Sequence, residues 1–171
     1  MESNAIEIEY QKLRDEIVSR IETRSQTIFG VVTLAGILYA FGIENRNPAV
    51  VFMYPIISLF LAASWSQNDI SIKLLGKYIH DEIEPQMPGA RWQAWRRANS
   101  KSTSVFGVRL TSLSAAGVFI ITQGVALLIG LSRVRYFTFV DCLAGCLSAV
   151  FTVLTIMLLH EHGKRISAQA L

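Results

Sequence analysis

Charge is scarce in this sequence. Asp, Glu, Lys and Arg make up 17% of the 171 residues, against 51% hydrophobic residues, and the mean hydropathy is +0.39. An ordinary soluble domain carries about 25% charged residues, so the composition argues against one. The shortage is also uneven. Charges gather in clusters, and the stretches between clusters hold almost none.

Other scarcities exclude chemistry. Two cysteines, with no second pair and no ordered histidine spacing, do not make a zinc site. The histidines His160 and His162 in LLHEHGK do not form the metalloprotease H-E-x-x-H. Two apart on a helix, they point to different sides and read as a surface pair at a membrane edge. His80 stands alone beside Asp81 and Glu82. A Gly-rich phosphate loop is absent, and no Ser/His/Asp arrangement has supporting context. The expectation is therefore no catalytic residue, no metal and no cofactor, and a chain that is not an enzyme. Residues 1–24 carry charge throughout and lack an apolar centre, so they do not read as a secretory signal. Insertion is expected to rely on later segments.

Long apolar runs are what the sequence does have. Runs of about 18 or more residues suit helices crossing a hydrocarbon core ~30 Å thick. Four are expected: residues 27–43, 48–65, 105–131 and 136–159. Pro48 is placed to open the second, and Pro55 inside it is a candidate kink. The short connector SRVR forces the fourth span antiparallel to the third. Lys and Arg outside the spans number twelve in residues 1–26, 66–104 and 160–171, against three (Arg46, Arg133, Arg135) on the opposite side. The positive-inside bias then puts both termini and the long connection in the cytoplasm.

Two flanking segments repeat an amphipathic pattern. Ile6, Tyr10, Leu13, Ile17 and Ile21 share one helical face, as do Ile72, Leu75, Ile79 and Ile83. One runs into the first span and the other runs out of the second. The expected fold is an all-α integral membrane four-helix bundle, with a cytoplasmic antiparallel helical hairpin extending spans one and two. Each stripe lying flat on the membrane is the alternative. Asn68 and Asp69 are candidate caps for a separate helix. Spare apolar residues (Ile8, Val18, Ile70, Leu74) leave room for a second subunit or a cytoplasmic protein.

Between Pro88 and the third span lies GARWQAWRRANSK, with Trp92 and Trp95 bracketed by Arg91, Arg96, Arg97 and Lys101. Tryptophan prefers the headgroup zone, and basic side chains there meet anionic lipid. An interfacial lipid anchor is expected. Nucleic-acid binding would call for a basic surface away from the membrane or a recognisable module, and neither is visible.

Within the spans the charged and amide side chains are Arg109, Gln123 and Asp141. An ionisable group in a span is a functional candidate by default. Arg109 lies near the opposite leaflet from Asp141, so those two cannot pair within one chain, whereas Gln123 is expected within about a turn of Asp141. Arg133 or Arg135 could also snorkel to Asp141 from the short loop, so Asp141 and Gln123 either line a polar path or an Asp–Arg or Asp–Gln clamp fixes the hairpin. Cys142 and Cys146, four apart on one helix, suit small buried residues better than a disulfide. Gly36/Ala40 and Gly145/Ala149 form small-xxx-small pairs that permit close helix approach, within or between subunits.

EYQKLRDEIVSRIETR and YPIISLFLAASWSQNDISI resemble a family of small, uncharacterised bacterial membrane proteins with four spans. In that family an E-Y-x-x-L-R-x-E-I opening precedes span one, and a Y-P…F-L-A…W-x-Q-N-D run closes span two. The likeness covers about the first half of the chain. It implies a multi-pass architecture in a bacterial inner membrane, and antiphage effectors that permeabilise membranes offer an analogy. The functional expectation is a small homo-oligomer that forms or gates a pore or channel, or otherwise permeabilises the membrane. Its cytoplasmic stalk would receive the signal. The alternative is a non-conducting scaffold or accessory subunit that docks a cytoplasmic partner.

Overall fold

The computed structural model describes the backbone of residues 2–87, 104–105, 108–133 and 139–168, and the side chains of 5–87, 114–132 and 139–164. The Trp/Arg segment (Arg91, Trp92, Trp95, Arg96, Arg97, Lys101) lies outside the described residues, as do the side chains of Arg109 and Arg133.

Four long helices make an all-α protein: α1 (Glu2–Glu44), α2 (Pro48–Tyr78), α3 (Leu110–Arg133) and α4 (Phe139–Ala168). One π-helical turn (Ile79–Ile83) and a 3-10 turn (Glu84–Gln86) continue α2. Two short strands, β1 (Ser104–Val105) and β2 (Val108–Arg109), pair antiparallel ahead of α3. Each long helix contains a stretch long and apolar enough to cross a membrane.

The turn between α1 and α2 is built by its asparagines. Asn45 Nδ2 donates to Phe41 O at 2.9 Å, capping the end of α1. Arg46 takes a left-handed φ of 53° to reverse the chain. The Asn47 side chain then accepts from the Ala49 amide at 3.1 Å, and Pro48 opens α2, where its missing N–H costs nothing. This turn sets the antiparallel register of α1 on α2. A Cβ on Gly42 would lie 2.3 Å from Val51, and further along Arg24 meets Asp69 and Glu9 meets Tyr78. Asp69 does not start a new helix. It sits inside α2, which runs unbroken from Pro48 past Pro55.

α2 is the hub of the bundle, packing on α1, α3 and α4, while α3 also touches α1 and α4. The two stripes are covered in part: Ile17, Ile79 and Ile83 are buried, whereas Ile21, expected on the face of Ile17, is 38% exposed, and the spare residues Ile8, Val18 and Leu74 are more exposed still. In the apolar region, Val31, Ala35, Val51, Tyr54, Ala62 and Phe119 form the core. Phe52 fills the space between α3 and α4. A Cβ on Gly130 would fall 2.3 Å from its ring, and one on Gly145 3.6 Å from it.

The outer surface is as apolar as the core. Phe29 is 74% exposed, Leu128 70% and Phe139 82%, and similar residues ring all four helices. Soluble monomers rarely show contiguous apolar patches beyond a few hundred Å². Around a bundle of this kind the natural cover is hydrocarbon, and the arrangement is that of a multi-pass membrane protein. From Ser25 to Ile43 α1 carries no charge, which is about 28 Å of helix and close to the ~30 Å core.

These contacts separate two glycines. Gly130→Ala should drive a methyl into the confined Phe52 ring and lower stability by about 1–3 kcal/mol. Gly36, whose added Cβ would have nothing within 4 Å, should tolerate alanine within the single chain. Thermal unfolding of the two variants in detergent, followed by circular dichroism, compares them directly. Equal midpoints would contradict the wedge.

Candidate functional site

Three helices converge on one carboxylate. Asp69, 4% exposed, is placed by α2 on the same face as Trp65, Ser66 and Lys73. Arg24 Nη1 of α1 donates to Asp69 Oδ1 at 2.7 Å. Lys73 Nζ, one turn on in α2, donates to Oδ2 at 2.5 Å. From α4, His162 Nε2 stands 3.1 Å from the same oxygen, and its Nδ1 is 2.8 Å from Ser66 Oγ. In the tautomer that donates from Nε2 to Asp69, Nδ1 accepts the Ser66 hydroxyl. The Trp65 ring closes the cluster, edge-to-face with His162 at 5.4 Å and with Phe119 at 6.4 Å.

The electrostatics follow from these partners. Burial alone pushes the Asp69 carboxyl up, but the hydrogen bonds and charges of His162, Lys73 and Arg24 outweigh it. Together they hold the group well below the usual carboxylate range. At neutral pH Asp69 is ionised and offsets one of the two cations beside it.

The order Ser66–His162–Asp69 is that of a nucleophilic relay, yet its setting differs from one. Ser66 is 7% exposed in the middle of a continuous helix, not on a sharp turn with backbone amides around the oxygen. Asp69 is already engaged by two cations. What this arrangement does chemically is fasten α1, α2 and α4 together by charge-assisted hydrogen bonds.

A second polar feature runs along α4. Asp141, Ser148, Thr155 and His162 recur every seven residues, about 10.5 Å apart along the axis. Ser148 and Thr155 are fully buried, and Asp141 is half-buried in the first turn, where the helix dipole favours a carboxylate. Gln123 of α3, also fully buried, donates from Nε2 to Ser58 Oγ at 2.9 Å and to Thr155 Oγ1 at 3.0 Å. Among the described residues its Oε1 and the Ser148 hydroxyl have no protein partner, the condition that buried water commonly satisfies. Nearby, Tyr54 donates to Thr122 Oγ1 at 2.7 Å and Tyr39 donates to the Thr122 carbonyl.

Several sequence readings change here. Gln123 meets Thr155, fourteen residues or about 21 Å from Asp141, so the two do not share a layer. His162 is not a surface group but is 4% exposed, because Asp69 and Ser66 satisfy both ring nitrogens. His160 is exposed, as expected. Cys142 and Cys146 face outward instead of inward. Gly36, Ala40 and Ala149 lie on outer faces, and Gly145 is half-buried against Phe52. Arg109 belongs to β2. The Asp69 hub was missed because its members read as separate flanking charges. One signal could have found part of it: Arg24 and Asp69 lie at nearly equal distance from the connector at residues 45–47, so a hairpin brings them level.

No family model, curated protein or solved structure matches this chain.

The hub should respond to acid in one direction. Folding depresses the Asp69 pKa, so its stabilisation is full above the unfolded carboxylate value of about 3.9 and fades as pH falls below it. Asp69→Asn should lose stability at neutral pH and flatten this acid limb in detergent unfolding curves. Asp69→Ala removes the carboxylate that Arg24 and Lys73 share and should cost toward the lower end of about 3–5 kcal/mol, since both cations are partly exposed.

Proposed function

We propose that the protein is a small homo-oligomer of the bacterial inner membrane that forms a regulated pore or conduction path. Both termini face the cytoplasm in this reading, by the imbalance of twelve basic residues to three. The observation that carries it is the outward placement of the small residues. Added methyls at Gly30 and Gly36 of α1 would meet no atom within 4 Å, and Ala40 of α1 and Cys142, Cys146 and Ala149 of α4 are exposed on the outer faces of those helices. Small residues at a lipid-facing surface let a second helix approach closely. Phe52, Tyr54 and Phe119 fill the interior of the single bundle, so a path for ions belongs between subunits. A ring of Asp141 at its outer mouth would favour cations.

The ends of α1 and α2 beyond Arg24 and Asp69 then form a cytoplasmic stalk. Its exposed Ile8, Val18 and Leu74 supply the surface that receives a protein signal. Asp69 is the joint, because a shift of the stalk pulls on His162 and hence on α4. The Arg91–Lys101 segment anchors this assembly to lipid headgroups. The same exposed stalk residues also support a second reading, a non-conducting scaffold that docks a cytoplasmic protein.

Reconstitution into liposomes loaded with a potential-sensitive dye separates the readings. A pore should dissipate a potassium gradient, Asp141→Asn should reduce cation preference over chloride, and Gly36→Leu should lower both subunit number and flux. A mass in mild detergent equal to one chain, with unchanged liposome permeability, would leave the scaffold in place of the pore.

A further inference from the structure

Beside the Asp69 hub, a groove of about 310 Å³ opens laterally between α1 and α3. Its two ends differ in character. Arg24, Ser25 and Ser114 surround one end, while Ile28, Phe29 and Val118 wall the other, one turn further into the apolar region. Trp65 and Ala115, 3% and 8% exposed, form its floor. Phe29, at 74% exposure, makes its rim part of the lipid-facing surface.

Charge decides what fits the polar end. Among the residues that line the groove Arg24 alone is ionisable, so the polar end is cationic. Arg24 engages Asp69 through Nη1, and its side chain remains 29% exposed. A guanidinium carries five N–H donors in a rigid fork, so one edge can hold a carboxylate while another meets a phosphate. The walls beyond it offer only apolar contact, which suits an acyl chain. A ligand charged at one end and aliphatic at the other matches the groove, and a bilayer supplies such a ligand.

We infer that this groove binds one anionic phospholipid, its phosphate against Arg24 and an acyl chain along Ile28, Phe29 and Val118. The site requires a lipid-embedded bundle but not a conducting one. A protein that passes no ions would still fill it. Because Arg24 also holds Asp69, the bound phosphate draws on the residue that ties α1 to α2 and α4, so lipid composition feeds directly into the hub.

The test uses the full chain with Trp92→Phe and Trp95→Phe, which leaves Trp65 as the only indole. In phosphatidylcholine vesicles, phosphatidylglycerol brominated on its acyl chains should quench Trp65 at about fivefold lower mole fraction than brominated phosphatidylcholine. Val118→Phe fills the apolar end without touching the partners of Asp69 and should abolish that preference. Arg24→Lys keeps a charge for Asp69 but cannot serve two anions, so it should reduce the preference while circular dichroism stays native. Equal quenching by both lipids in the unfilled groove would overturn the inference, as would a preference that survives both substitutions. Displacement of the brominated lipid by millimolar inorganic phosphate would assign the polar end to a soluble ligand and reject the lipid.

Discussion

A buried carboxylate must be neutralised and hydrogen-bonded, or it does not stay buried. Asp69 meets that demand with donors from three helices: Arg24 on α1, Lys73 on its own helix and His162 on α4. The requirement fixes more than a local contact. Sliding α1 against α2 by one turn would carry Arg24 out of reach, and rotating α4 would remove His162 and strand Ser66. Hydrocarbon contacts alone would not punish such shifts strongly, because one aliphatic face packs on another almost as well. The hub therefore supplies what an apolar bundle lacks, a reason to prefer one register.

The rest of the apolar region uses shape for the same end. Phe52 sits where Gly130 and Gly145 make room, and the two tyrosine hydroxyls of Tyr39 and Tyr54 converge on Thr122. Gln123 ties α2 to α4 through Ser58 and Thr155. Phe52, Tyr54 and Ser58 all belong to α2, which is why that helix can be so apolar and still be specifically placed. The bundle is held at several depths by polar contacts that cannot be exchanged for lipid.

The helices were legible in the sequence because their signals are local and additive. Charge-free length gave the spans, Pro48 gave the start of α2, and the spacing of Ile17, Ile79 and Ile83 gave faces that became buried. The hub was not legible, since it depends on depth rather than periodicity. Arg24, Asp69 and His162 are separated by 45 and 93 residues, and each alone resembles an ordinary flanking charge. Outward-facing Cys142 and Cys146 were misread for a related reason. A small residue in a span suits a helix contact, but sequence does not say whether the neighbouring helix belongs to the same chain. The position of Gln123 failed through an assumption about the α3–α4 connection, whose length does not reveal where two antiparallel helices stand level.

The seven-residue recurrence of Asp141, Ser148, Thr155 and His162 has a geometric corollary. A straight α-helix drifts about 20° per heptad from such a repeat, so from Asp141 to His162 the accumulated drift is about 60°. The polar stripe follows that drift: Thr155 meets Gln123 of α3, and His162, one heptad on, meets Ser66 and Asp69 of α2. One helix is thereby keyed to two neighbours at two depths, and turning it about its own axis would unlock both at once.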